Sequence, residues 1–124
     1  MTDNIRLIIA EDNELLRSML AGYLDQRTGL QVVGTAANGQ EAVDLSHELQ
    51  PDVVLMDVVM PVMDGVTATR IIREHHPAIK VVMLTNGNGA QADEALEAGA
   101  SAYLLKMVSI DEIAQTIRSA YGKS

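Results

Sequence analysis

The chain has 124 residues, 48% of them hydrophobic, no cysteine and a formal net charge of −8. That length suits one domain, and the missing cysteines exclude disulfides and thiolate metal sites and agree with a cytoplasmic setting. No apolar run approaches the ~18 residues of a membrane span, the polar start Met1-Thr2-Asp3-Asn4 reads as no secretory signal, and the acidity opposes direct binding to nucleic acid.

Two periodicities alternate along the chain. Ile5-Arg6-Leu7-Ile8-Ile9-Ala10 is an apolar run that stops at Glu11-Asp12-Asn13, which predicts a buried strand. Leu15, Leu16, Met19, Leu20, Tyr23 and Leu24 follow at helical spacing, with Asn13 placed as N-cap. Residues 30–36 are a second strand broken by Asn38-Gly39. Ala42, Val43, Leu45, Ser46 and Leu49 then mark a helix ending before Pro51. Residues 52–57 are a third strand, with an almost uniformly apolar core closed by the carboxylate of Asp57. A turn from Met60-Pro61 to Asp64-Gly65 leads into a helix over 66–76, stopped by Pro77. Residues 79–84 are the fourth strand. The polar loop Thr85-Asn86-Gly87-Asn88-Gly89 precedes a short helix over 90–98, with Gly99 as its closing glycine. Residues 102–105 are the fifth strand, and Ser109 with Glu112 forms a capping box for a last helix through Ile113, Ile117 and Ala120.

Five β–α units in tandem, with strands apolar enough to be buried on both faces, predict a doubly wound α/β fold: a parallel sheet with helices on each side. In such sheets the site forms at the carboxyl ends of the strands, near the switch in strand order. The polar residues at those ends are Glu11 and Asp12, Asp57, Thr85 and Lys106. Each alone has a plain structural reading, as a cap, a strand end or a solvated loop charge. Their joint placement on four strand ends is what points to chemistry. Three carboxylates in a partly desolvated pocket repel one another unless a divalent cation sits among them. Oxygen-only ligands favour Mg²⁺ (or Mn²⁺) over zinc. Lys106 can neutralise the cluster and grip a phosphoryl oxygen, and Thr85 adds a hydroxyl, so the set suits phosphoryl transfer to a carboxylate.

These residues resemble the receiver domains of bacterial two-component response regulators over essentially the whole chain. The motifs are Ile8-Ile9-Ala10-Glu11-Asp12-Asn13, the specific stretch Asp57-Val58-Val59-Met60-Pro61-Val62-Met63-Asp64-Gly65, Leu84-Thr85, and residues 98–106 ending in Tyr103-Leu104-Leu105-Lys106. The resemblance implies a flavodoxin-like five-stranded sheet in the order 2-1-3-4-5. It makes Asp57 the phosphoacceptor, with Mg²⁺ held by Glu11 (partly through water), Asp12, Asp57 and the backbone carbonyl of Val59. Lys106 and Thr85 would bind the phosphoryl group, and Thr85 and Tyr103 would switch. The donor would be a phosphohistidine on a sensor histidine kinase, and the protein a phosphoacceptor rather than an enzyme proper. The change would be felt on the face of helix four, strand five and helix five, where a second copy docks on phosphorylation. The subfamily most similar in motif carries a C-terminal helix-turn-helix domain, so DNA would be bound only through an output domain absent from this chain. Residues 1–121 are then the receiver and 122–124 the start of a linker.

Three departures from the family pattern stand out. The loop after Thr85 is polar and glycine-rich, and Asn86 is placed to narrow water's access to an acyl phosphate. Thr85 and Lys106 are 106 − 85 = 21 residues apart, about one fewer than the resemblance implies, so helix four or its loop is expected to be trimmed. Met107 stands where many members have Pro or Asp.

Other readings carry less. Gly87 to Ala92 spells G-x-G-x-x-A, but it follows the fourth strand rather than the first of a βαβ half. Tyr121-Gly122-Lys123-Ser124 resembles the end of a phosphate loop without the leading glycine. A carboxylate phosphohydrolase needs a second acid two residues after its nucleophile, and position 59 is Val. His47, His75 and His76 read as surface residues, Tyr23 and Tyr121 as packing residues. Met60 and Met63 read equally as a kinase-docking pair or as local packing of the turn.

Overall fold

The computed structural model describes residues 4–87 and 89–122; Asn88 in the loop after Thr85, and Lys123 and Ser124 of the expected linker, lie outside them. Among the described residues ten elements alternate: β1 (Ile5–Ala10), α1 (Glu14–Asp25), β2 (Leu30–Ala36), α2 (Gly39–Leu49), β3 (Val53–Asp57), α3 (Gly65–His75), β4 (Lys80–Thr85), α4 (Gly89–Glu97), β5 (Ala102–Leu105) and α5 (Ile110–Tyr121). The strands are parallel, in the order β2-β1-β3-β4-β5. Short polar side chains start the helices. Asn13, Asn38, Asp64 and Ser109 each accept a backbone N–H three residues on, satisfying one of the donors a first turn leaves free.

The strand residues alternate between two cores. Ile8, Val54, Met56, Val81 and Met83 pack with Ala42 of α2, Ala68 and Ile72 of α3 and Ala95 of α4. Leu7, Ile9, Leu55, Val82 and Leu84 pack with Leu20 and Leu24 of α1 and with Ile113 and Ile117 of α5. The central strands are covered on both sides, which is why they read as unbroken apolar runs. Edge strand β2 carries a bulge beside Gly34, a glycine inside a strand being the residue that marks such a break. Leu7 pairs with Val32 but Ile8 with Gly34, so Val33 is the extra residue.

The apolar surplus of α1 is a correction to the expected pattern. Leu16, Leu20 and Leu24 turn inward, while Leu15, Met19 and Tyr23 are exposed. Tyr121 is also about half exposed (49%), not packed. Met60 is buried and Met63 leans on the same core, so the local-packing reading of that pair holds. Helix α4, at nine residues, is the shortest of the described helices.

Two glycines let the chain fold tightly below the third strand. A Cβ on Gly65 would lie 2.0 Å from the carbonyl oxygen of Asp57, and one on Gly39 would lie 2.2 Å from that of Met63. Their N–H groups donate into the same turn, Gly65 to Val58 O at 2.7 Å and Gly39 to Met63 O at 2.9 Å. Helix α3 is thereby pinned directly beneath Asp57.

Candidate functional site: an acidic pocket at the switch point

Strand β1 lies between β2 and β3, so the winding of the sheet reverses there and the carboxyl ends of β1 and β3 face a common crevice. Glu11 continues the β1 ladder through its N–H to Ala36 O (3.0 Å) and is fully buried. Its Oε2 accepts the Asn13 N–H at 2.9 Å, and its carbonyl is held by Arg17. Asp12, next along, is exposed. Asp57 ends β3 and is 2% exposed. One ligand oxygen from each of Glu11, Asp12 and Asp57 lies within 4.8 Å of the others.

Lys106, arriving from the end of β5, places its Nζ 2.8 Å from Asp57 Oδ2 and 3.2 Å from Glu11 Oε1. Burial pushes the Asp57 carboxyl above its ordinary value, outweighing the opposing pull of Lys106. Burial likewise raises Glu11, against the hydrogen bond from Asn13. Burial works against the Lys106 ammonium too, but its hydrogen bond to Asp57 and its attraction to the Asp57 and Glu11 charges win and its pKa is raised. One cation is thus shared between the two buried carboxylates, with Asp12 at the rim of the same cluster.

The fit to a hard divalent cation rests on an atom left over. Glu11 Oε1 is buried and, although near Lys106, receives no hydrogen bond from any described group. An oxygen of that kind, in an all-oxygen set, suits Mg²⁺ or Mn²⁺. Val59 donates its N–H to Asp57 Oδ1 at a long 3.4 Å, which sets its peptide at the pocket rim.

Thr85 ends β4 one residue beyond the partner of Asp57, is 2% exposed, and passes its carbonyl to the Lys106 N–H at 3.0 Å. Its hydroxyl donates to Gln91 Oε1 in α4 at 2.9 Å and accepts the Gly87 N–H at 3.3 Å. Gln91 was invisible to motif reading; its only signal is a polar side chain in the first turn of α4, six residues after the threonine. Tyr103, paired with Met83 in the middle of β5, stands outward and is 44% exposed. The structure therefore gathers Glu11, Asp12, Asp57 and Lys106 in one cluster, sets Thr85 on the adjoining strand end engaged elsewhere, and leaves Tyr103 at the surface.

A carboxylate at the switch point of a doubly wound sheet, with two further acids, a lysine and a hydroxyl on neighbouring strand ends, frames a signalling receiver rather than a dinucleotide-binding domain. The chain belongs to the response regulator receiver domain family, which matches residues 7–118. It is 46% identical over 119 residues to the transcriptional regulatory protein LnrK of Bacillus subtilis, covering 95% of this chain and 54% of LnrK. It is 39% identical over 119 residues to the response regulator protein VraR of Staphylococcus saprophyticus, covering 95% and 57%. Among solved structures, a LuxR-family DNA-binding response regulator from Staphylococcus aureus superposes with a TM-score of 0.90 at 32% identity, over 95% of this chain and 99% of that one. The chain spans about half the length of the curated relatives it matches. No described helix is long and apolar enough to cross a membrane.

Proposed function

We propose that Asp57 accepts a phosphoryl group from a phosphohistidine of a sensor histidine kinase, and that the change is read on the face formed by α4, β5 and α5. The observation that carries this reading is the buried Asp57 carboxylate, 2.8 Å from Lys106 Nζ and clustered with Glu11 and Asp12. Glu11, Asp12, Asp57 and the carbonyl of Val59 would hold Mg²⁺ (Mn²⁺ as the alternative), which supplies charge neutralisation for the entering phosphoryl oxygens.

The residues of the chain do the rest. Asp57 Oδ2 is engaged by Lys106, so Oδ1, bound only by the long contact from Val59, is the freer nucleophile. It forms the new P–O bond as the donor's P–N bond breaks and the electron pair returns to the imidazole, which is then protonated. Lys106 is close enough to pass from the carboxylate to a phosphoryl oxygen. Thr85 must leave Gln91 to do the same, and Tyr103 would turn inward as it moves. Leu96, Tyr103, Leu105 and Met107 are exposed on or beside the α4–β5 edge, an apolar patch suited to a second copy of the receiver. Adding about two negative charges to this pocket biases the two states. The same pocket supports loss of the phosphoryl group to water, and in the whole protein the output would be DNA binding by a separate domain in the cytoplasm.

The test is incubation with acetyl phosphate and Mg²⁺ followed by intact mass. An adduct of about 80 Da is expected, the mass of one phosphoryl group, absent in Asp57→Ala and absent after chelation of Mg²⁺. An adduct that survives Asp57→Ala would move the acceptor elsewhere and overturn the proposal.

A further inference from the structure

All three histidines of the chain line one groove, on the side of the molecule away from Asp57, and two of them, His47 and His76, come into contact there. The groove, of about 580 Å³, lies between α2 and α3, and its polar lining is Asp44, His47, Glu48, His75 and His76. His47 lies in the last turn of α2 and His76 caps the C-terminus of α3. In a parallel α/β sheet the helix C-termini sit at the edge opposite the strand carboxyl ends, so this groove and the acidic pocket are separate.

His47 Nδ1 and His76 Nε2 are 3.3 Å apart, with ring centroids 5.4 Å apart. Two nitrogens bound to one tetrahedral ion at 2.0–2.1 Å are themselves about 3.3–3.4 Å apart. The pair therefore already spans one edge of a metal tetrahedron; the competing occupant of that position is a single shared proton. His75 is oriented by its Nδ1–H, which donates to the Ile71 carbonyl at 3.0 Å. That fixes its tautomer and leaves Nε2 with a lone pair, the way ligating imidazoles are held by a backbone carbonyl. Asp44 and Glu48, exposed and one helical turn apart on α2, line the same groove and bring two carboxylates to it, Asp44 also accepting a hydrogen bond from Gln40.

We propose that this groove binds one borderline divalent transition ion, Zn²⁺ as the reference case, with His47 and His76 as the two fixed ligands and the rest supplied by exposed groove side chains or water. Imidazole suits Zn²⁺, Cu²⁺ and Ni²⁺ and is a poor ligand for Mg²⁺. The ion would clamp α2 to α3 at their C-terminal ends without touching the phosphoryl pocket.

Zn²⁺ is titrated into the full chain in excess Mg²⁺, which occupies the acidic cluster, with calorimetry for stoichiometry and histidine ring resonances for the site. The expected result is one ion per chain, with the largest shifts on His47 and His76. His47→Gln and His76→Gln should each weaken binding at least ~10-fold, as loss of a fixed ligand requires, while Asp57→Ala binds Zn²⁺ as the parent does. All three histidines are on the surface, so the variants should keep the parent far-UV spectrum. Binding that persists in the His47→Gln/His76→Gln double variant, that is lost in Asp57→Ala, or that forms only between two chains would each overturn the proposal. So would no saturable binding. The outcome is independent of whether Asp57 is phosphorylated.

Discussion

Replacing Lys106 by Met removes the ammonium that serves the acidic pocket and keeps the length of its stem. Two buried carboxylates, fully and nearly fully covered, then face each other with only Asp12 and solvent at the rim. Removing one partner of a buried ion pair costs about 3–5 kcal/mol; with the Lys106 side chain 23% exposed, solvent screening brings the expected loss to about 2–3 kcal/mol. For a domain of this size that is a fall in Tm of roughly 10 °C. The pH dependence distinguishes this cause from lost packing. Both carboxyls already sit above their ordinary values because they are buried, and without Lys106 they rise further. A carboxyl whose folded pKa is raised binds its proton more readily in the native state, so acidification stabilises the fold between the folded and unfolded values. Lys106 itself stays protonated in both states until the pH exceeds its ordinary 10.5, so it adds no slope in this window. The deficit of Lys106→Met should therefore shrink as the pH falls from about 7.5 to about 5. Mg²⁺, a replacement cation, should also reduce it. With no tryptophan and three tyrosines, urea unfolding is best followed by far-UV circular dichroism. A variant within about 0.5 kcal/mol of the parent near neutral pH, the scatter of ordinary surface changes, would refute the reasoning. So would a deficit that grows on acidification.

The same geometry predicts other effects. Gly65→Ala sets a Cβ 2.0 Å from the Asp57 carbonyl, a backbone atom that cannot swing aside, so it should cost about 3 kcal/mol or more in urea unfolding and slow acetyl phosphate labelling. Gly22→Ala, in the middle of α1 with nothing within 4 Å, should instead stabilise by about 0.5–1 kcal/mol. Gln91→Ala removes the acceptor of the Thr85 hydroxyl; loss of one neutral hydrogen bond, about 1 kcal/mol, should raise the switched population about five-fold at limiting phosphodonor. The resonances of Thr85 and Tyr103 would report it, and Gln91→Glu, which keeps an acceptor, should leave the population near that of the parent.

How far the sequence could be read depended on whether the information was local. Strands β1, β3 and β4 are covered on both faces, so their apolar runs and the polar residues closing them could be taken directly from the residues. Once the strands were placed in a parallel sheet, Glu11, Asp12, Asp57 and Lys106 had to converge. Helix α1 was ambiguous because it has two adjacent apolar rows, 15-19-23 and 16-20-24, and only tertiary packing decides which one the sheet covers. The histidines were harder still. His47 and His76 are 29 residues apart on different helices, so no helical period relates them, and each looks like a lone surface residue. The orphaned oxygen of Glu11 and the Thr85–Gln91 bond are likewise products of three-dimensional placement.

The Thr85–Gln91 bond also indicates which element would move. Helix α4 presents only methyl groups to the core, from Ala92 and Ala95, whereas α5 presents Ile113 and Ile117 and α1 presents Leu20 and Leu24. At roughly 0.8 kcal/mol per buried carbon, displacing two alanine methyls costs a small fraction of what displacing either neighbour would. The helix is also the shortest described, and it starts directly after a glycine-rich loop in which Gly87 has a positive φ of 105°. A hydroxyl drawn from Gln91 toward a phosphoryl group would therefore remove a specific tether from the helix that is least anchored by packing. The same movement would open space beside β5, where Tyr103 stands at the surface on the α4 side of the sheet. A local change of charge at Asp57 can in this way become a change in the shape of one face, without the central sheet having to deform.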